Sequence, residues 1–460
     1  MEIHVVRAGE TLYSIAGQYG VDPELLREMN GVPENGALAV GQTLVIRQVG
    51  TFHTVQSGQT LDGIARQYGL SLRQLYRRNY VLGGNPVIQP GQTLIISYQD
   101  QPAAATRTNG YAYPFISREL LSAELPYMSY LTPFTYGIDA SGGLLPLADG
   151  MLLSEARRLG TAPLRHLSTL TERDNFSSER AVQILTDQPL QDALIEQIAA
   201  TITAKGYQGL DVDFEYIPGA QREAYAAFIR RLRARLAPMS LPVIVALAPK
   251  TYAQQPGLLY EAHDYALLGA AADFVLLMTY EWGYTAGPPM AVSPLPNVRR
   301  VLDYAVTEIP REKIYLGISN YGYDWPLPFR RGETRARSIS NQEAVEIAVQ
   351  YRAEIQFDQT AQSPWFNYTA PDGTSHVVWF EDARSMSAKL RLISEYGLYG
   401  AGYWNLMRPY PQGWTVLDAL YEVAEGSAEE CSFLNQKAPG QRPGAFWFRK
   451  ERGRKERIHC

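Results

Sequence analysis

Cysteine is nearly missing from this chain: of 460 residues only Cys431 and Cys460 are cysteines, and both fall in the last stretch, 431–460. No disulfide framework can hold such a fold, and the redox compartment is left open. A basic excess is missing as well. The formal net charge is -5, which argues against a body built to neutralise phosphates, so no nucleic-acid partner is expected. Long apolar runs are absent, and nothing approaches the ~20 residues of a membrane-spanning helix. The opening Met-Glu-Ile-His-Val-Val-Arg carries no basic segment followed by an apolar one, so a cleaved secretory signal is not expected. Delivery by cell lysis or assembly inside a mother cell would suit such a chain.

What the chain has in quantity is aromatic surface, 11% of residues with 30 tyrosines. Tyr and Trp faces are what a protein offers to sugar rings, although most aromatics pack in cores. The length exceeds one ordinary domain and predicts two to four.

The first of these units is a duplication. Ile3-His4-Val5-Val6-Arg7-Ala8-Gly9-Glu10-Thr11-Leu12 returns 49 residues later as Phe52-His53-Thr54-Val55-Gln56-Ser57-Gly58-Gln59-Thr60-Leu61. Ile15-Ala16, Asn30 and Gly41-Gln42-Thr43-Leu44 return as Ile64-Ala65, Asn79 and Gly91-Gln92-Thr93-Leu94. Each copy reads as strand, helix, helix, strand, with Thr11 and Thr60 as N-caps and Gly20 and Gly69 closing the first helix. Both copies resemble LysM domains, at 1–48 and 50–98. The resemblance implies binding of N-acetylglucosamine-rich glycan, with two weak sites reinforcing each other on a repeating polymer. His4 and His53, isolated in separate units, make no metal site. No metal and no cofactor are expected.

Residues 99–109 lack apolar periodicity and read as a linker. From Gly110 strands alternate with helices, with strands expected at 110–116, 128–138, 165–170, 209–215, 243–248, 274–280, 314–319 and 400–405. Helices are expected at 177–205, 222–236, 256–270, 296–308 and 382–396. Eight such units predict a (β/α)8 TIM barrel over 110–424, with a small α+β insertion at about 331–379 between the seventh and eighth strands.

In a barrel, catalytic side chains sit at the C-terminal ends of strands. Gln208-Gly209-Leu210-Asp211-Val212-Asp213-Phe214-Glu215-Tyr216 is the stretch that stands out. As a strand it alternates faces, placing Asp211, Asp213 and Glu215 together and Leu210, Val212 and Phe214 opposite. Carboxylates so crowded raise one another's pKa, which is how a general acid for sugar hydrolysis is made; a metal site or a chance acidic strand is the alternative reading of the stretch. Met278 and Tyr280 share parity on the sixth strand, and Trp404 ends the eighth.

These residues resemble glycoside hydrolase family 18, whose signature Asp-Gly-x-Asp-x-Asp-x-Glu is met from Gly209 to Glu215 with Gln208 in first place. Met278-Thr279-Tyr280-Glu281 resembles the family's Met-x-Tyr-Asp, with Glu for Asp. Combined with the LysM pair, the chain is most similar to the spore cortex-lytic N-acetylglucosaminidases of that family. The resemblance implies Glu215 as general acid, Asp213 on the substrate acetamide, Asp211 in support and Tyr280 on the acetamido oxygen. It implies Trp404 under the ring, with Met278, Glu281 and Tyr321 also binding substrate. The implied partner is peptidoglycan or another N-acetylglucosamine-containing glycan, at a spore coat, cortex or cell wall. The family's Ser-x-Gly-Gly is absent from His166-Leu167-Ser168-Thr169-Leu170, so polar support for the inner aspartates has to come from elsewhere.

Residues 425–460 read as a basic, disordered tail, with eight Lys or Arg against two Glu in 431–460. Two other functions fit parts of the pattern: a chitinase, and a non-catalytic, lectin-like wall or coat protein. The intact Glu215 argues against the second.

Overall fold

The computed structural model describes residues 1–171 and 175–426. From residue 427 on, the expected basic tail lies outside the described residues, and both cysteines with it.

Each N-terminal repeat is a two-stranded antiparallel sheet covered by two helices. In the first, Glu2–Val5 pairs with Thr43–Ile46 around helices Leu12–Tyr19 and Pro23–Met29. In the second, Val49–Thr54 pairs with Thr93–Tyr98 around Leu61–Gln67 and Leu72–Arg78. Thr11 and Thr60 cap as expected, accepting from the backbone N–H of Ser14 and Gly63. The repeated asparagine is a staple. Asn30 donates to Leu26 O and Val45 O and accepts from Val45 N–H, and Asn79 does the same with Leu75 and Ile95. A buried amide with its bonds filled explains why both copies keep it.

The linker expectation is corrected. Residues from Ala104 onward form the first barrel strand, Ala104–Ala112, which pairs with Tyr421–Val423 and with the eighth strand. Backbone pairing needs no apolar periodicity, which is why composition misled here. The repeats pack directly on the barrel. Arg47 and Arg77, one from each repeat, both meet Asp418 (2.8 and 3.4 Å), and Gln412 donates to Asn30 Oδ1 and Thr43 O.

The barrel strands are Ala104–Ala112, Tyr130–Pro133, a third in two pieces, Leu210–Asp213, Val243–Leu247, Phe274–Leu277, Ile314–Ser319 and Gly400–Trp404. The third is broken at Leu164, with Ala162–Pro163 pairing the second strand and Arg165–Ser168 the fourth, so the ring closes. Between the seventh and eighth strands lies a five-stranded antiparallel sheet, from Gly322–Leu327 to Ser375–Trp379, with helix Asn341–Tyr351 on one face. No helix among the described residues is long and apolar enough to cross a membrane.

Candidate active site

Two strands end sooner than their sequence suggests. The fourth leaves the ladder after Asp213 and the sixth after Leu277. Asp211 and Asp213 therefore share a strand face, while Glu215 stands on the turn beyond, just before Tyr216 at φ 57°. The reason for the early exit is a side chain. His263 Nε2 donates to Phe214 O across 2.9 Å, while its Nδ1 accepts from Ala248 N–H at 2.8 Å. Those two partners dictate the neutral Nε2–H tautomer, and burial pushes His263 down to about 4.

Asp213, Glu215, Met278, Tyr280, Glu281 and Trp404 line one cavity of about 640 Å³. Met278 and Tyr280 reach it together although the strand stops before them. The sixth segment packs so closely on the seventh that a Cβ at Gly317 would lie 2.3 Å from Leu277 O and 2.9 Å from Tyr280 Cε1. Asp211 lies beneath the cavity, fully buried, and Tyr321 lies behind Glu281. Trp404 is braced edge-on by Phe134, 4.9 Å between centroids, and packs on Tyr111 at 5.6 Å.

Burial dominates the electrostatics. It raises Asp211, with the Tyr111 hydroxyl, which donates across 2.5 Å, pulling the other way. It raises Asp213, with the Asp211 charge adding to it. Glu215 is raised by burial first, then by the charges of Asp213 and Glu281. Asp211 Oδ1 and Asp213 Oδ1 have no hydrogen-bond partner among the described residues, which further favours a neutral acid within the set. Glu281 is raised by burial and held down by the hydroxyls of Tyr321 and Tyr323, the latter at 3.0 Å. A raised, protonated carboxyl at the mouth with an acidic pair behind it can donate a proton to a leaving oxygen at neutral pH.

Tyr111, Tyr323 and His263 were not anticipated from the sequence. Tyr111 supplies the polar support absent from the third strand, where Ser168 lies opposite Asp213 but its hydroxyl oxygen accepts from Leu170 N–H and Thr135. Alternation along the first strand was a usable signal for it. Tyr323 and His263 carried none, because each acts from a segment distant in sequence.

Residues 174–408 match the profile of "Glycosyl hydrolases family 18", and residues 4–47 and 53–97 match "LysM domain". The chain is 41% identical over 433 residues to the "Cortical fragment-lytic enzyme" of Bacillus subtilis (strain 168), covering 92% of this chain and 99% of the relative. The crystal structure of the Bacillus megaterium QM B1551 spore cortex-lytic enzyme SleL superposes with a TM-score of 0.78 at 37% identity, covering 92% of this chain and 98% of that one. A chitinase from Chromobacterium violaceum ATCC 12472 gives 0.63 at 27% identity over 68% of this chain and 98% of its own.

Proposed function

The chain belongs to the glycosyl hydrolases of family 18, and on that premise we propose that it is an N-acetylglucosaminidase acting on spore cortex or cell-wall peptidoglycan. It is a glycoside hydrolase. The observation that carries it is the convergence of Asp213, a raised Glu215, Tyr280 and Trp404 on one cavity. The relatives' names supply the cortex.

Glu215 protonates the glycosidic oxygen. The substrate's own 2-acetamido oxygen attacks the anomeric carbon from the opposite face, the substrate-assisted exception to the two-carboxylate scheme. Asp213 accepts from the acetamido N–H and stabilises the cationic ring that forms, while Asp211, held by Tyr111, shares the pair's charge. Tyr280 donates to the acetamido oxygen and Trp404 packs under the sugar. Water then opens the ring with Glu215 as base, and configuration is retained. A muramic lactam has no free acetamido group and cannot assist, so the sugar cleaved at its anomeric carbon is N-acetylglucosamine. The LysM pair keeps the chain on its polymer.

Glu215→Gln on cortex fragments tests this: turnover is lost and binding kept. Unchanged turnover refutes the acid. Borohydride reduction of the new ends gives glucosaminitol; muramitol would refute the specificity.

A further inference from the structure

The two repeats carry the same helix with opposite charge. Where the second has Arg73 and Arg77 on Leu72–Arg78, the first has Glu24 and Glu28 on Pro23–Met29, 49 residues earlier. The arginines are committed to the barrel: Arg73 donates to Gly160 O at 2.8 Å, and Arg77 meets Asp418 and Glu422. The glutamates have no such duty. They line a cavity of about 510 Å³ between the repeats, with Met29, Ile95 and Tyr98 as its buried apolar floor. The barrel fixes this joint, because Thr415 Oγ1 donates to Met29 O at 3.0 Å, so the cavity is preformed.

Two groups on the cavity have polar atoms to spare. The Glu28 carboxylate accepts no hydrogen bond among the described residues, and Arg27, 3.9 Å away, is engaged by Glu24 at 3.0 Å. Burial raises Glu28, and the Glu24 charge adds to it, so an ammonium beside it would favour the ionised form that both oppose. Arg78 donates through Nη1 to Ile96 O, and its Nε and Nη2 have no acceptor among the described residues. Both side chains are half-buried, not sealed. Asp22, also on the rim, is occupied as the cap of its helix. The rim adds Phe52, 53% exposed, and Val81, 56% exposed. An open acid and an open base beside exposed apolar side chains fit a ligand with both charges on an apolar body.

We propose that the cavity between the repeats binds the peptide branch of a peptidoglycan strand, Glu28 taking an ammonium of the branch and Arg78 its terminal carboxylate. The apolar parts of the branch lie on Met29, Ile95 and Phe52. Chitin offers the same amino sugar and no peptide, so the cavity gives the repeats a preference for peptidoglycan that the sugar alone cannot. This role rests on peptidoglycan as the substrate and not on the catalytic groups.

The test is calorimetric binding by the full chain carrying Glu215→Gln, with soluble cortex fragments before and after an amidase has removed their peptides. Peptide-bearing fragments are expected to bind roughly tenfold tighter, ~1.4 kcal/mol. Glu28→Gln and Arg78→Gln should each abolish that difference and leave binding of the peptide-free fragments unchanged. Should Arg78→Gln not fold, Glu28→Arg, which reverses a charge on the rim, reads the same loss. Free Ala-Lys-Ala is expected to compete with the peptide-bearing fragments, and the same peptide with its amines acetylated and its carboxyl end amidated is not. Equal affinity for the two kinds of fragment, variants that weaken both alike, or competition by the blocked peptide overturns the site. So does a concentration-dependent mass that Phe52→Ser abolishes, since a second copy would then cover the cavity. Turnover by the unsubstituted chain separates the two readings: if it cleaves neither fragment the catalytic reading fails, and the affinity difference still decides the cavity.

Discussion

The Tyr111 hydroxyl donates to Asp211 Oδ2 across 2.5 Å, from the first barrel strand to the fourth, where both residues are buried. It is the polar support that the third strand does not supply. Donation favours the ionised carboxylate, so without it Asp211 rises further above the ordinary carboxylate range. In the proposed mechanism the acidic pair must carry a negative charge to stabilise the cationic ring. In Tyr111→Phe the acidic limb of kcat is therefore expected to move to higher pH. A lost bond to a charged group, ~1.5–3 kcal/mol, corresponds to a fall in kcat on the order of 10- to 100-fold. Steady-state rates across pH read both effects.

Glu281→Gln moves the other limb. In the proposed mechanism Glu215 must be protonated to act, and the Glu281 charge is one of the causes that hold its pKa up, after burial and Asp213. Removing that charge lowers Glu215, so the alkaline limb of kcat/KM is expected to shift to lower pH. An unmoved limb would show that the charge of Glu281 does not reach the acid.

Much of this was legible in sequence because it is local. Alternation gave the acid strand, and the duplication gave the two repeats with their caps. Parity placed Met278 and Tyr280 together, although the cavity brings them there on a turn and not on a strand. What was not legible depends on contacts between distant segments. His263 ends the fourth strand from 49 residues away, and Tyr323 reaches Glu281 over 42. The region 99–109 reads as a linker in sequence because strand pairing at Ala104 leaves no mark on composition.

Asp418 receives a guanidinium from each repeat, Arg47 at 2.8 Å and Arg77 at 3.4 Å, with both arginines nearly inaccessible. Each arginine also meets a second carboxylate, Arg47 with Asp100 at 3.2 Å and Arg77 with Glu422, so removing Asp418 leaves neither charge alone and costs less than the about 3–5 kcal/mol of a wholly uncompensated buried charge. Asp418→Ala is expected to lower the unfolding midpoint and to split one calorimetric transition into two as the repeats part from the barrel. A single transition at the original midpoint would mean that the apolar contacts alone hold them.

His263 ties the proposed acid to the scaffold by bonding the carbonyl of Phe214, the residue between Asp213 and Glu215. Its neutral form is required, since Nδ1 accepts from Ala248 N–H and a protonated ring has no lone pair to offer. Its folded pKa, pushed down to about 4 by burial, lies below the ordinary 6.5. Stability from this group is thus complete above pH 6.5 and is lost as pH falls toward 4. The amide of His263→Gln offers one donor and one acceptor and does not titrate, so this variant should keep kcat and lose part of the acid sensitivity of unfolding. His263→Ala frees the turn bearing Glu215: kcat should fall with KM unchanged, and the alkaline limb should move to lower pH as Glu215 gains solvent. Equal rates for the alanine and glutamine variants would mean that the ring fills space and does not aim the acid.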